Sequence, residues 1–238
     1  MAENIPPAIA PFKRTAWKPI VEDGDGAPYA SKFSGLPWLT ASEDWPPCGN
    51  CGKPAQLFIQ LNLDLLPEPL RNEFGRGLLQ MFYCTSADPA CDVDCEGWSP
   101  FSRCVTARVV QPQGDPRVVE ASSLVNAFPP KLITGWQELD DYPTWAEGEG
   151  LAVELEDSEW KALNGQGFAR DGDKLAGWPA WQQGVEYPAC PICSEEMRLV
   201  FQLDSEDNLP FMFGDVGCGH ITQCKTHKDQ VAFGWACG

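Results

Sequence analysis

The residues best suited to chemistry in this 238-residue chain are its cysteines and its two histidines. In the C-terminal part, Cys190-x-x-Cys193 is followed by Cys224-x-x-His227. Two pairs of soft or borderline ligands, each separated by two residues, are what a tetrahedral structural zinc site requires, because a tight turn can aim both side chains of a pair at one ion. Four protein ligands leave no position for water, so such a site is closed and serves the fold rather than a reaction. The N-terminal part offers Cys48, Cys51 and Cys84 in the same arrangement, but Ala87 stands where the matching histidine would fall. Cys91 and Cys95 follow on the next segment, and either can complete the site. Two zinc ions per chain are therefore expected. Cys104, Cys218 and Cys237 are left over as thiols, buried by expectation.

The elements that position these ligands recur along the chain. Residues 35–61 and 177–203 align without a gap, 142 positions apart, with identities at Gly35/Gly177, Pro37/Pro179, Pro46/Pro188, Cys48/Cys190, Cys51/Cys193, Leu57/Leu199, Gln60/Gln202 and Leu61/Leu203. This reads as an internal duplication. In each copy a Gly-x-Pro turn precedes an aromatic-Pro step, a Cys-x-x-Cys knuckle and a short apolar run, Leu57 to Leu61 or Leu199 to Leu203. Such runs predict buried strands, with Gln60 and Gln202 bonding backbone groups left open nearby. A second strand is expected up to Cys84 and up to Cys224. The fold expected is α+β and strand-rich: one domain over 1–238, with repeat 1 at about 30–112, an acidic connection at about 113–172 and repeat 2 at about 173–238. A short helix is expected near Ser158 to Leu163.

Composition agrees with many short strands joined by turns, with 22 Gly, 22 Pro, ten Trp and twelve Phe. The net charge of −17 disfavours nucleic acid and anionic membranes as partners and favours a basic protein. The Pro-rich N-terminus, Met1 to Ile20, has neither the pattern of a signal peptide nor that of an anchor. Eleven cysteines without an export signal point to a reducing, cytoplasmic setting, where thiolates bind metal. Among the motifs of catalysis, there is no phosphate-binding glycine loop and no Gly-x-Ser-x-Gly elbow. With His227 assigned to metal and His220 beside a glycine-rich turn, the reading is of a protein that is not an enzyme.

At Gly35-x-Pro37, Trp45-Pro46, Phe58-Ile59-Gln60-Leu61 and Gly77 to Phe82, and again at Gly177-x-Pro179-x-Trp181-Gln182, Phe201 to Asp204, Phe213-Gly214-Asp215 and Trp235-x-Cys237, the chain resembles the YwqG-like family, a domain of unknown function. The resemblance runs from about residue 30 to the C-terminus and implies a mixed α/β fold with duplicated, sheet-rich halves. Some members of that family are immunity proteins that neutralise secreted nuclease toxins, including those of type VI secretion. The resemblance thus implies an antitoxin that covers the basic, DNA-binding surface of its target. Between Glu138 and Glu159 there is no Lys or Arg. This run carries Glu138, Asp140, Asp141, Glu147, Glu149, Glu154, Glu156 and Asp157, interleaved with Trp145 and other aromatics. It reads either as the partner-binding face or as a solvated loop whose tryptophans face the core. The order of Gly-x-Pro-x-Trp, Cys-x-x-Cys and a glutamine-bearing strand also resembles the programmed-cell-death-protein-two family of zinc-binding ribosomal-protein chaperones. That implies an alternative, an acidic chaperone for a basic ribosomal or nascent protein.

Overall fold

The computed structural model describes residues 5–87, 90–117 and 127–238. Ten strands run through these residues: β1 (Arg14–Asp23), β2 (Lys32–Phe33), β3 (Gln56–Asn62), β4 (Leu78–Tyr83), β5 (Val105–Val110), β6 (Lys131–Asp141), β7 (Lys174–Ala176), β8 (Arg198–Asp204), β9 (Cys218–Gln223) and β10 (Val231–Ala236). Helix is confined to short pieces, α1 (Cys91–Asp94), α2 (Trp145–Gly150) and α3 (Asp157–Gly165), with three single 3-10 turns. The strands form one antiparallel sheet in the order β10-β9-β8-β7-β1-β6-β2-β3-β4-β5. Its two end strands, β10 and β5, approach each other without pairing, so the sheet is nearly closed. No helix among the described residues is long and apolar enough to cross a membrane.

Exchanging β1 to β5 for β6 to β10 leaves the strand order unchanged when it is read from the other end. The registers repeat as well. Lys32 faces Gln60 as Lys174 faces Gln202, and the irregularity between Leu57 and Ile59 recurs between Leu199 and Phe201. The two sets are interlocked, because β2 pairs with β6 and β7 pairs with β1.

The apolar runs form the strands expected of them, and every side chain from Gln56 to Leu61 is buried. One aromatic core joins both halves of the sheet. Phe58 packs on Tyr83, Phe211 and Phe213 at centroid distances of 5.0–6.1 Å, and Phe33 meets Phe201 edge-on at 5.9 Å. Each such ring contributes roughly 1.5–3 kcal/mol through burial. Gln60 Oε1 accepts the Trp38 N–H at 2.9 Å and Gln202 Oε1 accepts that of Ala180 at 2.9 Å, so both amides hold the chain after the Gly-x-Pro turn.

The Gly-x-Pro turns have a specific cause. Gly35 and Gly177 both adopt φ +78°, and a Cβ on either would strike a carboxylate, that of Asp25 or of Asp141. Asp25 accepts the Leu36 N–H and the Lys32 ammonium (2.6 Å). Asp141 accepts the Trp178 N–H (2.8 Å) and the Lys174 ammonium (3.0 Å). Only glycine allows such a close approach at positive φ.

Six of the ten strands, β1, β2, β5, β6, β7 and β10, are absent from the sequence reading, and β1 and β6 depart from it most. β6 lies inside what reads as an acidic connection, yet it pairs with β1 along its length at the centre of the sheet. Neither strand carries a clean alternation: of the β6 side chains only Ile133 and Asp141 are buried, and β1 contains Pro19, a residue that argues against a central strand. The helix expected near Ser158 to Leu163 is α3, closed at its start by a capping box between Glu156 and Glu159.

Candidate metal centres

Each Cys-x-x-Cys knuckle is made by backbone bonding that repeats at the 142-residue offset. Cys48 N–H donates to Lys53 O (2.7 Å) and Gly52 N–H to Cys48 O (2.9 Å). Cys190 N–H donates to Glu195 O and Ser194 N–H to Cys190 O, both at 2.9 Å. The turn needs a left-handed residue at its fifth position, and Gly52 (φ +71°) and Ser194 (φ +61°) supply it. Amides inside each loop point at sulfur: Asn50 N–H lies 3.4 Å from Cys48 Sγ and Ile192 N–H 3.5 Å from Cys190 Sγ.

The second tetrad is Cys190, Cys193, Cys224 and His227, all with ligand atoms within 4.8 Å of one another. Cys193 Sγ lies 3.6 Å from Cys224 Sγ, and His227 Nδ1 lies 3.8 Å from Cys190 Sγ and 3.7 Å from Cys224 Sγ. A tetrahedron built on metal–sulfur bonds of ~2.3 Å has edges of about 3.8 Å, so the donors already stand at ligating separations. The N–H groups of His227 and Thr226 converge on Cys224 and pull its thiol down to about 6. Metal ligation requires the thiolate, which these amides favour.

The first tetrad is Cys48, Cys51, Cys84 and Cys91. Cys48 and Cys91 Sγ are 3.6 Å apart, as are Cys51 and Cys84 Sγ. Of the two cysteines able to complete the set, Cys91 does so, because α1 starts there and turns its side chain inward. Cys95 stands one helical turn on, and its Sγ donates to Cys91 O at 2.9 Å. Asn50 Nδ2 donates to Cys91 Sγ (3.3 Å) and to Asp94 (2.8 Å), which ties the inserted helix to the knuckle. Burial pushes Cys91 up to about 12 and raises Cys84 further. All eleven cysteines are free thiols. Cys104 and Cys218 are buried, whereas Cys237 is only half-buried.

The residues assigned to a partner-binding face fall into two groups. Asp141 is fully buried and, besides Lys174, accepts the N–H groups of Tyr142, Arg170 and Trp178; it belongs to the sheet and not to a surface. Glu147 is also buried, where it accepts hydrogen bonds from Trp181 Nε1 (2.8 Å) and Tyr187 OH (2.7 Å). Asp140 pairs with Lys13 at 2.6 Å on the surface. Glu138, Glu149, Glu154, Glu156 and Asp157 are exposed, and Trp145 is 53% exposed among them. Trp160 and Tyr142 face a small core, while Trp145 does not.

His220 is buried, its ring tilted against that of Trp181 at a centroid distance of 4.5 Å, and burial pushes it down to about 3, so it is neutral at ordinary pH. It lines a cavity of about 430 Å³ with Trp98, Trp181, Glu186, Thr222 and Trp235. Sequence reasoning did not find this cavity. Its walls come from segments distant in sequence, and no spacing signals it.

No curated protein matches the chain. A family model for a domain of unknown function, DUF1963, matches residues 31–237, which include both tetrads and nine of the ten strands among the described residues. The chain therefore belongs to the DUF1963 family.

Proposed function

We propose that this chain is a duplicated, zinc-stapled binding protein without catalytic turnover that captures a basic protein partner. The partner assigned is a secreted nuclease toxin, such as those of type VI secretion, which makes the chain a cytoplasmic immunity protein of YwqG-like type. Zinc is the metal assigned to both tetrads, because a four-cysteine set and a set of three cysteines and one histidine, with edges near 3.6–3.8 Å, match its preferred donors and geometry. The observation that carries the binding reading is Trp145, more than half exposed in a stretch, Glu138 to Glu159, that holds no Lys or Arg and exposes Glu138, Glu149, Glu154, Glu156 and Asp157. Aromatic anchors dominate interface energetics, and a surrounding negative field accelerates encounter with a basic partner.

The test is a rate measurement against the captured partner across a salt series. Reversing Glu138, Glu149 and Glu154 to Lys should slow association and flatten its salt dependence, since the Debye length is ~10 Å at 0.1 M. These three positions leave the buried Asp141 and Glu147 and the α3 cap intact. Trp145→Ala should mainly speed dissociation. Unchanged rates in all variants would remove this face from the interface.

A second reading is an acidic chaperone for a basic ribosomal protein. The completeness of both ligand sets favours it, in keeping with the resemblance to the zinc-binding chaperones. Affinity capture followed by mass spectrometry separates the two: a nuclease supports immunity, a ribosomal protein supports the chaperone, and no basic protein at stoichiometric yield sinks both.

A further inference from the structure

The 430 Å³ cavity gains meaning from what occupies the matching place on the other side of the sheet. There, Gln80 on β4 faces Arg108 on β5. The Arg108 guanidinium donates to Gln80 Oε1 through Nε (3.0 Å) and an Nη (2.9 Å), pairs with Glu43, and lies 5.6 Å from the Phe82 ring centre. That half thus holds a guanidinium of its own, against an aromatic ring, an amide oxygen and a carboxylate.

The registers identify the counterpart positions. Gln60 faces Gln80, and Gln80 faces Arg108; Gln202 faces His220, and His220 faces Gly234. His220 therefore stands for Gln80, Thr222 for Phe82 and Gly234 for Arg108. Where the first half carries Phe82 and Arg108, the second carries the smaller Thr222 and Gly234, and both line the cavity. Gly234 cannot regain a side chain cheaply. A Cβ there would lie 3.0 Å from Trp98 O and 3.4 Å from Pro100 Cγ, because the segment carrying Trp98 is held over it by the Trp235 N–H to Trp98 O bond (3.1 Å).

The lining is what a planar cation requires. It contains Trp98, Trp181 and Trp235, the carboxylate of Glu186, and neither Lys nor Arg. Trp181 and Trp235 are fixed by indole N–H bonds to Glu147 and Tyr83, which leave their rings as walls. Thr222 Oγ1 is buried with no partner among the described residues. Indole faces bind cations, guanidinium in particular.

We propose that this cavity receives an arginine side chain from a partner protein, placing in trans the guanidinium that Arg108 supplies in cis on the other side. Glu186 provides the counter-charge, and the neutral His220 ring and the tryptophans provide the walls. The proposal deepens the capture of a basic partner and rests on that reading only for the source of the arginine.

The test uses the full-length, zinc-loaded protein with 15N-labelled tryptophan side chains, titrated with arginine blocked as Nα-acetyl and C-methylamide. The indole signals of Trp98, Trp181 and Trp235 should move together, with Kd on the order of 1 mM as expected for one isolated side chain, while the other indoles stay still. Glu186→Gln should weaken this binding about tenfold, and Trp98→Ala, at an exposed position, should weaken it severalfold without unfolding. The proposal is overturned if these three signals do not move, if blocked lysine binds equally well, or if free arginine binds tenfold more tightly than the blocked form, which would mark a free amino-acid site. Blocked arginine binding in the cavity with no basic protein captured would sustain the cavity and remove the partner reading. Capture of a basic protein with a silent cavity would do the reverse.

Discussion

The two halves of this sheet share a scaffold and differ in how each was completed. Around the first knuckle the fourth ligand, Cys91, arrives on a short helix seven residues after Cys84; around the second, His227 comes three residues after Cys224. Behind the first half a guanidinium fills the space between β4 and β5, whereas behind the second the corresponding space is a cavity. One half has closed on itself in both respects and the other has kept its loops short and one pocket open. What the backbone register holds constant is the frame, and what varies is the chemistry hung on it.

The largest effect expected from breaking this comparison is at the metals. Cys51→Ser and Cys193→Ser should each remove one zinc per chain by elemental analysis. Each should cost on the order of 5 kcal/mol or more, roughly 10–20 °C in Tm, because structural metal binding is coupled to folding. Under a graded chelator the histidine-containing site should empty last, since its third and fourth ligands close a shorter loop. Protein purified without chelator that contains no zinc would end the assignment.

Next come the twin ion pairs beneath the Gly-x-Pro turns. Lys174–Asp141 is buried on both sides, whereas the Asp25 side chain of the Lys32 pair is 29% exposed. Asp141→Asn leaves a buried ammonium uncompensated and should cost about 3–5 kcal/mol in denaturant unfolding. Asp25→Asn, where water reaches the site, should cost less than half of that. Equal losses would show that exposure does not separate the two.

A smaller, pH-dependent difference lies at the pins that hold β3 and β8. In the first half Ser31 Oγ accepts the Asn62 N–H (2.9 Å); in the second, Asp173 Oδ1 accepts the Asp204 N–H (2.7 Å). Burial and the nearby Asp207 push Asp173 up to about 7. The folded chain therefore keeps a proton there that the unfolded chain, with a carboxyl near ~3.9, releases. Stability from this group is fullest below ~4, declines as pH rises toward about 7 and is level above. Asp173→Asn should flatten the fall in stability between about pH 5 and pH 8 by on the order of 2 kcal/mol, read from denaturant unfolding at each pH. An unaltered slope would place the titration elsewhere.

The smallest effect concerns the left-handed residue of each knuckle. Ser194→Gly should stabilise the protein by up to ~1 kcal/mol, and Gly52→Ser should cost about as much, since a side chain is strained at that backbone angle. Thermal melts of the reciprocal pair decide it, and the same sign for both would refute the equivalence.

Much of this was legible in the sequence where a local rule acts. Cysteine spacing marked seven of the tetrad ligands and narrowed the eighth to Cys91 or Cys95, and the continuous apolar runs marked β3 and β8. The choice of Cys91 was not legible, because it depends on where a four-residue helix begins. β1 and β6 were missed because each shows mixed faces, and the acidic residues that read as one surface divide only once the sheet buries Asp141 and Glu147. The cavity is a property of two registers compared, and nothing in either repeat alone announces it.

The crossed pairing of β2 on β6 and β7 on β1 makes each half the template for the other. If the chain is cut between β5 and β6, each fragment retains one knuckle and five strands but loses the neighbour on which its short strand must be laid. Such fragments should be unfolded or sticky when expressed singly, yet should assemble into a stable, two-zinc heterodimer when produced together. Complementation of this kind makes the protein separable into two reporters whose reunion can be followed as a folded one-to-one complex.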